Sequence, residues 1–113
     1  MLKDDKKGFS MLIDSTILEF ENSVDQVIEY YLAKKLKPLH TTLHSIKGMS
    51  LNLGLNMLAK QALALEAQTK NHQLPDIEPL QKLLNRLMVN IHQAQRMKAK
   101  HSASSLNKMN GKT

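Results

Sequence analysis

Cysteine and tryptophan are both absent from this chain of 113 residues. Without cysteine, disulfides and thiolate metal centres are excluded, and a reducing compartment is compatible with the sequence. Proline occurs three times and glycine four times, and the aromatic residues are two Phe and two Tyr. A chain so poor in turn-formers, and rich in Leu, Met, Lys and Gln, favours helix throughout. No apolar run approaches the roughly 18 residues that span a bilayer. The charged opening Met1-Leu2-Lys3-Asp4-Asp5-Lys6-Lys7 leads into no signal-type segment. The sequence therefore predicts a cytoplasmic protein that touches no membrane, with one domain and one modest core. Acidic residues are missing from an entire stretch: none follows Glu78, where Lys82, Arg86, Arg96, Lys98, Lys100, Lys108 and Lys112 add seven positive charges. The formal net charge of +6 is thus a property of the C-terminal part of the chain.

What is present is helical periodicity. Residues 1–13 begin polar and end in an apolar patch from Phe9 to Ile13, which predicts a partly ordered segment with room for a short extra helix. Asp14 or Ser15 can cap a helix that runs to about Lys35 on Ile17, Phe20, Val24, Val27, Ile28 and Tyr31. Pro38 disfavours helical geometry at Lys37 and suits a first turn, so a second helix begins there. It should stop between Asn52 and Gly54, a left-handed turn. A third helix follows from about Leu55 to Lys70 on Leu58, Ala59, Ala62 and Leu65. Residues 71–75 read as a loop, and Asp76 opens a fourth helix carrying Leu80, Leu84, Leu87, Ile91 and Ala94 inward. From about His101 the Ser-, Asn- and Lys-rich composition predicts a disordered basic tail. Four amphipathic helices with short connections predict an all-α, antiparallel up-down four-helix bundle over residues 14–100. Met1 and the tail lead us to expect a free-standing protein.

The second helix carries two contrasting faces. At about 100° per residue, Leu39, Ile46, Leu53 and Met57 line one side, flanked by Leu43 and Met49. His40, His44, Lys47, Gly48 and Leu51 line the other. A mid-helix glycine costs roughly 0.5–1 kcal/mol relative to alanine. Gly48 is best explained by something approaching the backbone beside His44; close helix packing is the competing explanation. A neutral imidazole is a competent nucleophile near neutral pH. A phosphoryl group on it brings about −1.5 to −2 charges, which Lys47, three residues on and on the same side, can offset. No phosphate-cradling glycine loop and no clustered carboxylates are present, so the chain has no ATP site of its own and is not expected to be an enzyme.

The run His44-Ser45-Ile46-Lys47-Gly48-Met49-Ser50-Leu51-Asn52-Leu53-Gly54 resembles the signature of the histidine-containing phosphotransfer (HPt) domain family: His, two residues, Lys-Gly, five residues, Gly. The resemblance extends through Leu58 to Leu65-Glu66. It implies that His44 is a phosphoacceptor, that Lys47 stabilises phosphate charge, and that Gly54 is a structural turn residue. It also implies a phosphocarrier of a multistep two-component phosphorelay, which takes its phosphoryl group from a receiver-domain aspartate and yields it to another. Response-regulator receiver domains or a hybrid histidine kinase are the implied partners, and Mg²⁺ would come with the receiver, leaving this chain with no cofactor. His40, Gly48, Leu51 and Leu55 would form the partner-binding surface of a monomer. The family usually has a small residue where Leu43 stands, which would tilt or shield the His44 ring.

Other assignments compete. His40 and His44 at four-residue spacing resemble half a metal site, but nothing is placed to complete it, so no metal is expected. The acid-free stretch after Glu78 raises a basic helical module that binds nucleic acid or a protein scaffold without phosphoryl chemistry. Nucleic acid is the less favoured partner, because a solvated face is the simpler explanation of such a stripe. A third reading is a domain that sequesters a receiver without transfer.

Overall fold

The structure, a computed structural model, describes residues 2–110, with side chains over residues 8–100. Four helices follow one another: α1 Leu2–Leu32, α2 Leu36–Asn52, α3 Asn56–Lys70 and α4 Ile77–Asn110. Among the described residues there is no strand. Each helix packs on two neighbours, α1 on α2 and α4, and α3 on α2 and α4, with no diagonal pairing among the described residues. This is the expected all-α four-helix bundle.

The apolar stripes explain the assembly. Phe20 and Val27 from α1, Leu39, Leu43 and Ile46 from α2, Leu58, Ala62 and Leu65 from α3, and Leu80, Leu83, Leu87 and Ile91 from α4 meet in one core. Ile17, Val24, Tyr31, Leu55 and Leu84 pack against it half-buried. Removing a large side chain such as Leu43 from such a site costs about 2–5 kcal/mol. Ile28 departs from the predicted α1 stripe and is exposed.

Three helix ends share one device. Lys34, Gly54 and His72 have φ of 56°, 74° and 60°. The next amide in each case returns to a carbonyl five residues back: Lys35 to Tyr30 at 2.9 Å, Leu55 to Ser50 at 2.8 Å, and Gln73 to Gln68 at 3.0 Å. This is the Schellman closure, which satisfies carbonyls that the helix end leaves without partners. Gly54 adopts the left-handed conformation without strain, while Lys34 and His72 do so against a Cβ clash.

Several expectations need correction. α1 is continuous from Leu2, so no boundary falls at residue 13, and Asp14 and Ser15 lie inside the helix and cap nothing. The reason is visible in the stripe: Ile13 is buried and extends the Ile17–Phe20 spacing upstream, and Gly8 alone is too small a penalty to stop the helix. Met1 lies outside the described residues. α4 continues past His101 to Asn110, since no proline or glycine interrupts residues 80–110 and serine and asparagine cost only tenths of a kcal/mol, roughly, inside a helix. Residues 111–113 of the expected tail lie outside the description. α2 starts two residues before Pro38 and stops at Asn52. Leu53 and Met57 therefore leave the stripe and are exposed.

For function, the short α2–α3 turn matters most. It lays two helices antiparallel, so that residues on α2 meet residues on α3 in successive rungs, and it leaves the outer edge of both free.

Candidate functional site

On the inner face of α2, Leu39, Leu43 and Ile46 are fully buried. Residue 44 lies about 100° from Leu43 and turns outward. The His44 side chain is 65% exposed, so Leu43, a core residue, does not cover it. Sequence spacing did place this ring on an open face; it did not foresee what holds it.

That partner is Glu66 on α3. Its Oε1 lies 2.7 Å from His44 Nδ1, and its Oε2 lies 2.9 Å from Lys47 Nζ. The second contact is a charge pair rather than a well-aligned hydrogen bond, since Oε2 meets no donor at good angles. The Glu66 side chain is only 12% exposed. Burial alone would push its carboxyl up, but the contacts with Lys47 and His44 and the charge of Lys47 outweigh that and hold it below the ordinary glutamate range. An ionised carboxylate only accepts, so His44 Nδ1 carries the hydrogen and donates it. The lone pair is then on Nε2, directed away from α3. The arrangement fixes the tautomer and aims a nucleophilic nitrogen at solvent.

One turn earlier, His40 Nδ1 lies 2.9 Å from Thr69 Oγ1. The Thr69 hydroxyl donates to the Glu66 main-chain oxygen at 2.9 Å. Glu66 and Thr69 could have been found in the sequence: residues 59, 62, 66 and 69 recur at three- and four-residue spacing, and all four are buried. A carboxylate on such an inward stripe demands a partner, and His44 and Lys47 are that partner.

The remaining residues fall as follows. Gly48 is half-exposed, and a Cβ there would meet nothing within 4 Å. Close packing thus fails as its explanation, and open access beside His44 remains. Leu51 is 59% exposed on the same side. Leu55 is not free but packs half-buried against the core. Gly54 is the turn residue that was expected. Among the described residues no three His, Cys, Asp or Glu side chains are grouped to hold a metal ion, and no helix is long and apolar enough to cross a membrane.

The basic face of α4 lies elsewhere. Lys82, Gln93, Arg96 and Lys100 are exposed, and Arg86 reaches across to Met57 Sδ at 2.9 Å. Lys98 is off this stripe and pairs with Asp14 of α1 at 2.5 Å.

The family model described as "Hpt domain" matches residues 12–96, a span that includes all of α2 and α3. Comparison with curated proteins returns no match, and neither does comparison with solved structures.

Proposed function

This chain belongs to the Hpt domain family, whose members pass phosphoryl groups through a histidine in phosphorelays, and on that premise we propose that His44 is the phosphoacceptor. The donor is the aspartyl phosphate of a receiver domain. The Nε2 lone pair attacks phosphorus, the N–P bond forms as the P–O bond to the aspartyl carboxylate breaks, and that carboxylate leaves. No proton has to move, because Nδ1 keeps its hydrogen. The ring becomes formally cationic, and Glu66 at 2.7 Å takes up that charge. Lys47 sits beside the incoming phosphoryl oxygens, whose charge it offsets. Transfer onward reverses the same steps toward a second receiver, and Mg²⁺ belongs to the receiver's site.

The observation that carries this reading is the Nδ1–Glu66 contact, which leaves Nε2 as the free nitrogen. Gly48 keeps the approach clear, and exposed Leu51 offers apolar surface for a small, transient contact. His40 and Leu55 border that contact, Leu55 from its half-buried position. The chain acts as a carrier with no ATP chemistry of its own and works as a cytoplasmic monomer.

Incubation with a receiver domain carrying labelled phosphate tests the assignment. Wild-type protein should take up acid-labile, alkali-stable label, and His44→Gln should take up none. Label retained by the variant overturns the assignment.

A further inference from the structure

His40 repeats the construction of His44 one turn away. The single Thr69 hydroxyl hydrogen goes to the Glu66 carbonyl oxygen, so Thr69 Oγ1 can only accept from His40. His40 Nδ1 therefore carries hydrogen, as His44 Nδ1 does, and both rings present Nε2 on the open side of α2. The two anchors, Glu66 and Thr69, lie one turn apart on α3 and are themselves linked. This is a matched pair of rings, of which the proposed transfer uses one.

A shared metal ion is a poor fit for the pair. Zn²⁺ takes three or four protein ligands, and among the described residues no three His, Cys, Asp or Glu side chains are grouped to supply them. A phosphoryl group carried on one Nε2 is different, because its oxygens project toward the neighbouring ring and a charge-assisted hydrogen bond of about 2.7–2.9 Å can bridge the remaining space.

We propose that His40 grips the phosphoryl group once it is on His44, donating a hydrogen bond from its protonated Nε2 to a phosphoryl oxygen. The proposal rests on His44 being the phosphoacceptor. Around His40 the charged and titratable neighbours are Lys37 on its own helix, Lys70 at the end of α3 and His72 in the following turn; together with Leu36 and Thr69 they line an open groove. No carboxylate stands in that lining, so on that side the His40 ring faces only cationic, titratable or neutral side chains. The Glu66 carboxylate is engaged by His44 and Lys47. A phosphoryl group contributes about −1.5 to −2 charges, which favours the protonated ring over the neutral one. The grip therefore operates in mildly acidic solution and is released in alkali.

The test follows loss of label from phosphorylated His44 in the wild type, His40→Leu and His40→Gln, at about pH 6 and about pH 9. Circular dichroism checks that each variant is folded. One net hydrogen bond corresponds to about threefold to tenfold in rate. His40→Leu should lose label faster than wild type by that factor near pH 6 and at the wild-type rate near pH 9. His40→Gln, whose amide donates at any pH, should retain label like wild type near pH 6 and better than wild type near pH 9. A ratio of His40→Leu to wild type that is the same at both pH values overturns the proposal, since a merely structural role has no reason to follow proton uptake. If the wild type takes no label at all, the phosphoacceptor assignment itself fails; if it takes label and the ratio stays flat, only the role of His40 fails.

Discussion

Lys47 and Arg86 are both cations on helix faces, and their surroundings differ in kind. Lys47 is 23% exposed and held 2.9 Å from a nearly buried carboxylate that also holds His44. Arg86 reaches a thioether, and the rest of its stripe, Lys82, Arg96 and Lys100, is exposed to solvent. One region has a positive charge and a ring converging on a single counter-charge; the other spreads its charges along one side of a helix. Net charge belongs mostly to the second region, and organised chemistry to the first. A site is marked by convergence on a buried partner, because only there is geometry fixed and solvent screening reduced.

This contrast is sharpest in transfer kinetics. Lys47→Ala should slow phosphoryl transfer from a receiver about 10–100-fold, or about 1.4–2.7 kcal/mol of barrier, with helix content unchanged. Joint replacement of Lys82, Arg86, Arg96 and Lys100 by glutamine should change the same rate less than about threefold at physiological salt, where exposed charges are screened over about 8 Å. Equal losses in the two experiments would break the comparison.

Stability should separate the regions next. Glu66→Gln is expected to cost about 1–2 kcal/mol at neutral pH, whereas the fourfold glutamine variant of α4 should stay within about 0.5 kcal/mol of wild type. The Glu66 effect depends on pH with a definite sign. Its carboxyl titrates lower in the folded protein than the value of about 4.3 it has unfolded. Its contribution is thus complete above that unfolded value and is lost as pH falls through the folded one. Urea titrations of wild type and Glu66→Gln should converge in acid; a gap that persists there contradicts the pairing.

The smallest effects concern the scaffold that both regions share. Lys34→Gly and His72→Gly should each stabilise by about 0.5–1 kcal/mol, and Gly54→Ala should destabilise by about 1 kcal/mol, since only Gly54 is already suited to its left-handed turn. Thermal unfolding reads all three.

Much of this was legible in the sequence, for a local reason. Helical spacing and the Pro38 and Gly54 signals depend on near neighbours, so the four helices, the core stripes and the outward position of His44 followed from them. The helix limits at residues 13 and 101 did not, because polar composition suggests disorder there while no residue nearby is a strong enough breaker to stop a helix. Glu66 was in view only as the end of a run, and Thr69 not at all. Their roles depend on α2 and α3 lying side by side, a contact across 22 residues for His44 and Glu66 that periodicity on one helix does not contain. Leu55 shows the converse case: its side of the α2 face extrapolated past Gly54, where the turn redirects the chain and takes the side chain into the core.

The central claim is that Glu66 holds His44 through Nδ1 and so dedicates Nε2 to phosphorus. Nitrogen-15 NMR of the imidazole in the phosphorylated protein tests it most directly. The account predicts phosphorus coupled to Nε2 of His44, with Nδ1 still bearing its hydrogen; phosphorus on Nδ1, or on another residue, would contradict it.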